Sequence, residues 1–430
     1  MAVVRPFHGF HYSLERFGKD AVSKLMAPPY DVISEKDQKM LEQDPHNIIH
    51  VTLGKNGSGY TDAAHLFHSW IQEGIIQKDP SPCFYIYEQD YRVNSHPDEK
   101  KRTGFMGLVR LEDYEKRIIM PHEKTMPKYS LDRLDLLRST RANLEQIFGV
   151  YNDSTGKIDA ILEKNKKDDK LLFQFQDFQG TIHKIWTLSD RKDIEQVRLF
   201  MNRRTIIIAD GHHRYETSMM YRREVRERTE NPLEDIPEDY VMMTLINIKN
   251  PGLLILPTHR LIHSLPEPQV KGFFDHARKY FDVKIFADEK EFYDFFQSSP
   301  NRTIGVYSKV DDIWGTITLK DTSIMDKILG MENVNRYIDT CILHDLVMKE
   351  VLGIDEEMQK NKDYVDYLRG TKDIIQVARD ENKYQLVFVM RPTPVEDVER
   401  AVTHSQRMPQ KSTYFYPKVW SGMVFRLLSD

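Results

Sequence analysis

The stretch that most constrains this chain is Thr205-Ile-Ile-Ile-Ala-Asp-Gly-His-His-Arg214. Ile206 to Ala209 is an apolar, largely β-branched run, which predicts a buried strand. Asp210-Gly211 breaks the run, and the charged, Met-bearing segment from Tyr215 to Arg228 reads as a helix. The pattern is therefore strand, tight turn, helix. Gly211 lets the backbone turn sharply and lets a ligand come close, while Asp210 is expected to cap a helix that begins near His212. The amides that open such a helix, with Gly211, His212, His213 and Arg214 around them, suit an anion, a phosphate above all. An ordinary strand-to-helix connection with His and Arg solvated on its rim would show the same residues.

Composition narrows the classes. A chain of 430 residues, 40% hydrophobic and 30% charged, has core enough for two or three domains and is not of disordered composition. A net charge of −5 argues against a protein built to grip nucleic-acid backbone, and so against nucleic acid as a partner. Cys83 and Cys341 stand alone and far apart, which leaves neither a disulfide framework nor a zinc-knuckle spacing and makes a reducing cytoplasm the expected compartment. Met1 to His8 has no signal-peptide pattern, and no apolar run reaches membrane-spanning length, so no membrane partner is expected.

The order of elements predicts an α+β chain: a mixed-sheet core carrying the strand-turn-helix, and a helix-richer C-terminal α/β domain. The expected divisions are an N-terminal α/β segment over residues 1–95 that packs on the core, a phosphate-binding core over 96–265, and a C-terminal domain over 266–430 whose tail faces the site. Ala27-Pro-Pro-Tyr-Asp-Val-Ile-Ser34 is a loop stiffened by two prolines, suited to presenting Tyr30 and Asp31 or to serving as a rigid connector, with Ser34 capping a helix over 35–43. Pro121 and Pro127 bracket His122, Glu123, Lys124 and Thr125, four polar side chains on a stiff non-helical stretch. In the helix that follows, Leu131, Leu134 and Leu137 are expected to be buried. Thr258, His259 and Arg260 come after an apparent strand end, where open sheets meet ligands. A single long amphipathic helix is expected over 333–351. The run Met408 to Gly422 is aromatic, with Lys411 and Lys418 in it, and is expected to be tied down rather than frayed.

Several chemistries lack their motifs. There is no Gly-x-x-x-x-Gly-Lys-Ser/Thr loop, no spaced-glycine dinucleotide turn, no His-Glu-x-x-His and no Gly-x-Ser-x-Gly elbow. What remains is recognition of phosphate at a helix N-terminus, together with a carboxylate that serves as base or holds Mg²⁺. For phosphoryl transfer the residues in view are Gly211, His212, His213 and Arg214 on the phosphates, with Lys124, Arg260 and Lys411 adding charge. Asp210 is the expected Mg²⁺ ligand, and Glu123 and His122 are placed near the reacting hydroxyl.

Arg5-Pro-Phe7, Ala27-Pro-Pro-Tyr-Asp-Val-Ile33, Pro121-His-Glu-Lys-Thr125, Asp132-Arg133, Ala209-Asp-Gly-His-His-Arg-Tyr-Glu-Thr217, Leu256-Pro-Thr-His-Arg260 and Met408 to Lys418 resemble the pattern of a prokaryotic family catalogued as domain of unknown function 1015. The turn at Asp210, with a His-Glu upstream, is also similar to the phosphate-binding turn of the ParB/sulfiredoxin-like superfamily, which includes nucleotide-binding partition proteins and free-serine kinases. That resemblance implies nucleotide phosphate on Asp210 to Arg214 and a base at Glu123. The expectation is thus a cytoplasmic enzyme that uses ATP or ADP with Mg²⁺ to phosphorylate a small hydroxyl-containing metabolite, serine first among the candidates, with homo-oligomerisation left open. The alternative is a nucleotide-gated regulator of DNA or protein, for which Arg203, Arg204, Arg222, Arg223, Arg226 and Arg228 form a basic patch. A third reading is a sensor or scaffold without turnover.

Overall fold

The computed structural model describes residues 1–93, 96–123, 127–229, 234–361, 363–370 and 374–429. The chain is α+β and forms two compact units, the first made of Met1–Pro121, Thr125–Leu254 and Pro417–Asp430, the second of His122–Lys124 and Ile255–Tyr416. Among the described residues no helix is long and apolar enough to cross a membrane.

The first unit is organised on a nine-stranded sheet. Its strands are β1 (Val4–Arg5), β2 (Phe84–Val93), β3 (His96–Arg110), β4 (Ile119–Pro121), β5 (Ile147–Tyr151), β6 (Leu171–Gln176), β7 (Ile182–Leu188), β8 (Ile206–Asp210) and β9 (Tyr240–Asn247). They lie in the order β4-β8-β5-β9-β3-β2-β7-β6, with β1 paired to β3 off that path. The sheet is mixed: β8 runs parallel to β4 and antiparallel to β5, and β9 parallel to β5 and antiparallel to β3. All four residues from Ile206 to Ala209 are buried, which is why that strand is apolar without alternation. Helices α1 (Thr61–Gln72), α2 (Pro127–Thr140), α3 (Lys157–Asn165), α4 (Arg191–Met201) and α5 (His212–Arg226) belong to this unit. Ile158 and Leu162 of α3, Val197 and Met201 of α4, and Tyr215 and Met219 of α5 share one apolar cluster with Ile206, Ile208 and Leu245.

In the second unit, β10 (Thr258–His263), β11 (Phe281–Phe286), β12 (Thr303–Ser308), β13 (Ile313–Leu319), β14 (Val365–Arg369) and β15 (Tyr384–Val389) form a six-stranded antiparallel sheet in the order β11-β13-β12-β15-β10-β14. Alternate residues go to opposite faces, as strand geometry requires. Ile262, Ile304, Val306, Leu386 and Phe388 join one apolar cluster, and Leu261, Tyr307, Val387 and Val389 join another. Phe292 and Phe296 of helix α6 (Glu289–Ser298) pack in the second cluster, and the π-helix Ile342–Val351 supplies Ile342, Leu343, Leu346 and Val347 to the first.

Several expectations need correction. The boundary expected between residues 95 and 96 falls inside one hairpin, since Tyr85 pairs with Met106 and Val93 with His96; a polar, Pro-bearing segment marks a hairpin end as readily as a linker. The tail from Pro417 belongs to the first unit, so 266–430 is not one domain. Thr258, His259 and Arg260 lie within β10 rather than beyond a strand end. Leu131 is 57% exposed, while Arg133, Leu134, Leu136 and Leu137 are buried. At about 100° per residue, a stripe centred on Arg133 and Leu137 leaves Leu131 on the opposite side. The long helix expected over 333–351 is instead a short α-turn, Asp339–Cys341, running into the π-helix, where Leu352 donates to the carbonyl of Val347 five residues back.

Candidate functional site

β8 ends at Asp210, Gly211 takes the left-handed conformation at φ 84°, and α5 begins at His212. Glycine is required here on two counts. The positive φ disfavours any side chain, and a Cβ would stand 2.9 Å from Nη2 of Arg214, whose guanidinium lies back across the turn. The N-cap position is held by Gly211 and no side chain caps the helix, so the expected capping by Asp210 is not made. The Asp210 carboxylate is engaged elsewhere: Oδ1 accepts from Nζ of Lys418 at 2.5 Å, and Oδ2 lies 3.3 Å from Nη2 of Arg214.

Three further segments of the first unit converge on this turn. Nη1 of Arg214 donates to the carbonyl of Gln146 at 2.6 Å, and Nε2 of Gln146 donates to the carbonyl of Trp420 at 2.8 Å. Ser421 and Ala27 exchange backbone hydrogen bonds, which joins the tail to the loop of two prolines. The carboxylate of Glu145 accepts from the Ser421 hydroxyl at 3.0 Å and from the Tyr30 amide at 3.4 Å. The Arg133 guanidinium lies 4.4 Å from the centre of the Tyr30 ring and donates to Asp132 at 2.6 Å. The expectation that the aromatic tail is tied down therefore holds, through Lys418, Trp420 and Ser421.

The charges decide the protonation states. Burial alone would raise the Asp210 carboxyl, but Lys418 and Arg214 outweigh it and hold the group well below the ordinary carboxylate range. Burial alone would lower Arg214, yet Glu145 and Asp210 keep its guanidinium firmly charged. The turn is thus an ionised carboxylate clamped between two cations, at the positive end of a helix of fifteen residues. This arrangement does not fit Asp210 as a Mg²⁺ ligand, because both of its oxygens already face cations. Among the described residues no group of three or more His, Cys, Asp or Glu side chains could hold a metal ion.

The other sequence candidates lie in the second unit. Oε1 of Glu123 accepts the backbone N–H of Lys411, and Met408 donates to the carbonyl of His122 at 2.8 Å. His122 is fully buried, with its Nε2 2.6 Å from the Thr413 hydroxyl and 3.8 Å from Oε2 of Glu123. Lys411 holds a left-handed backbone at φ 60°, and the carbonyl of Lys411 accepts from Nη2 of Arg260 at 3.1 Å. Burial pushes the Arg260 guanidinium down to about 10, against the opposing charges of Tyr367 and Glu123. His122, Glu123, Arg260 and Lys411 are therefore one hydrogen-bonded set, and Gly211, His212, His213 and Arg214 with Asp210 are another, in a different unit. Lys124 lies outside the described residues.

Lys418, Glu145, Gln146 and Arg133 are not among the site residues expected from sequence. The one signal for Lys418 was a lysine within an aromatic, non-periodic tail. Part of the basic patch considered for a DNA or protein partner is engaged within the fold: Arg204 pairs with Asp153, Arg222 donates to the carbonyl of Leu111, and Arg226 pairs with Asp239.

No curated protein matches this chain. Among solved structures it is similar to a free serine kinase mutant in complex with AMP, at 9% identity over 72% of this chain and 87% of that one, with a TM-score of 0.37. It is likewise similar to a conserved hypothetical protein from Pyrococcus furiosus, at 11% identity over 75% of this chain and 95% of that one, TM-score 0.38. A C-terminally truncated SbnI from Staphylococcus aureus matches at 9% identity, over 75% of this chain and 88% of that one, TM-score 0.38. A family model described as a protein of unknown function, DUF1015, matches residues 4–341, and the chain belongs to that family.

Proposed function

We propose that this chain is a nucleotide-dependent phosphotransferase whose turn from Asp210 to Arg214 binds nucleotide phosphate, with a small hydroxyl-containing metabolite as acceptor and free serine the first to test. The observation that carries the reading is a helix opened by a left-handed glycine rather than a capping carboxylate, with Lys418 and Arg214 held beside it by Asp210. Oriented backbone dipoles and two positioned cations are what a phosphate group requires, and here the two cations share one carboxylate, which leaves the cluster of three side chains net positive. Asp210 in this reading positions Lys418 and Arg214 and holds no metal. Glu123 enters as the candidate base by resemblance to the serine kinases, and Glu123→Gln tests it. Turnover should fall about 10²-fold with nucleotide affinity unchanged; unaltered turnover would remove Glu123 from the reaction.

The direct experiment incubates the protein with ATP or ADP, Mg²⁺ and a pool of hydroxyl metabolites, and follows phosphorylated products by mass spectrometry. Nucleotide affinity is measured alongside. Arg214→Ala and Lys418→Met should each weaken nucleotide binding by at least about tenfold, the loss of one charge-assisted hydrogen bond. Absence of both product and nucleotide binding in the unaltered protein would sink the proposal.

A further inference from the structure

The second unit contains a cavity of about 590 Å³ at the start of β12 and of helix α7 (Val395–Thr403). That volume is in the range of small-molecule sites. Four arginines line it, and three are already committed. Arg391 donates to the carbonyls of Phe296, Ser299 and Pro300, where it closes the C-terminal end of α6. Arg400 pairs with Asp397 at 2.5 Å, and Arg336 with Asp326 at 2.5 Å.

Arg302 differs from these. Its guanidinium lies 4.9 Å from the centre of the Tyr337 ring, and among the described residues no carboxylate or carbonyl accepts a hydrogen bond from it. Its backbone is left-handed at φ 67°, an unfavourable state for arginine, and its N–H donates to Oδ1 of Asp339 at 3.1 Å. Asp339 also lines the cavity, and its second oxygen has no hydrogen-bond or ion-pair partner among the described residues. Burial raises this carboxyl to about 6, with Asp397 adding to the rise, even though Arg391 and Arg302 lie near enough to lower it. One cavity thus presents, among the described residues, a guanidinium without a hydrogen-bond acceptor and a carboxylate with one oxygen unbonded, fixed to one another by the Arg302 amide, with Val334, Ile338 and Pro392 as apolar wall.

We propose that this cavity binds a free amino acid, whose carboxylate pairs with the Arg302 guanidinium and whose ammonium group pairs with Asp339. A simple anion would satisfy Arg302 and leave Asp339 repelling it, whereas a simple amine would do the reverse. Only a ligand with both charges on neighbouring atoms answers both groups, and the apolar wall receives its side chain. This site does not rest on the nucleotide reading, and Arg214→Ala should leave it untouched.

The test is calorimetric titration of the full-length protein with each of the common amino acids, and with propionate and methylamine as single-charge probes. At least one amino acid should bind with a dissociation constant of about 1 mM or tighter. Arg302→Gly removes the guanidinium and relieves the left-handed backbone, so it should leave thermal stability equal or higher while weakening that amino acid at least about tenfold. Asp339→Asn keeps an oxygen for the Arg302 amide and should weaken the amino acid by a similar factor, while propionate binds no worse. Saturable binding lost in both variants supports the site. No saturable binding of any amino acid, binding unchanged in both variants, or propionate as tight as the amino acid would each overturn it.

Discussion

Gly211 concentrates the constraints on the first unit's site, because both the positive φ and the approach of the Arg214 guanidinium exclude a side chain. Gly211→Ala should cost about 1–3 kcal/mol in urea unfolding and lower nucleotide affinity, since the added methyl displaces the guanidinium. Asp210 contributes through its charge. Its carboxyl lies below the ordinary value in the folded protein, so the stability it adds is complete above the unfolded value and is lost as pH falls through the folded one. Asp210→Asn removes the negative charge facing the Lys418 side chain, 9% exposed, and should destabilise by about 3 kcal/mol at neutral pH. His259 in the second unit gives a separate acid response. Burial, with Arg260 beside it, lowers its imidazole to about 4, and the neutral Nδ1 accepts the Met390 amide. The unfolded chain takes up a proton near pH 6.5 and the folded chain does not, so stability falls as pH drops from about 6.5 to 4, by on the order of 3 kcal/mol. Denaturation midpoints measured across that window check it, and His259→Asn should flatten the profile there.

At the scale of elements, alternation carries the second unit. Leu386 and Phe388 go to one face of β15 and Val387 and Val389 to the other, so each face needs its own helical cover. Phe292 of α6 is fully buried, with its ring 5.2 Å from that of Trp314. Phe292→Ala should cost about 3–5 kcal/mol by opening a cavity in that layer, read by chemical denaturation followed through tryptophan fluorescence. Strand and helix periods were legible where a segment was long and regular, as in α1, β9 and β12. They were not legible in β4, whose three residues are too few to show a period, or in the ten-residue π-helix, whose apolar residues read as those of an ordinary amphipathic helix.

For the whole molecule, the path of the chain matters more than its length. The first unit is completed by Pro417–Asp430, which return to it after the entire second unit has been formed. Met423, Val424 and Phe425 are fully buried there, and Lys418 reaches Asp210 across 208 positions of sequence. Truncation after Tyr416 should therefore destabilise the first unit far more than loss of an ordinary chain end, despite removing only the last fourteen residues. Limited proteolysis should cut the truncated first unit much faster than the full-length one, while fragments of the second unit persist. Equal protection of the first unit with and without those residues would contradict this account.

The sequence by itself determined the strand, turn and helix from Thr205 to Arg228, the need for glycine at position 211, the α+β class and the membership of the family. These follow from local backbone chemistry, from the period of apolar residues and from contiguous motifs, all of which are present in the order of the residues. Tertiary structure alone decided that Asp210 faces Lys418 and Arg214 instead of capping α5. It also decided that Glu123 accepts the Lys411 amide and that Arg302 and Asp339 share a cavity. Pairings of that kind depend on where distant segments come to rest, and a charge that is satisfied by a residue two hundred positions away leaves no local trace.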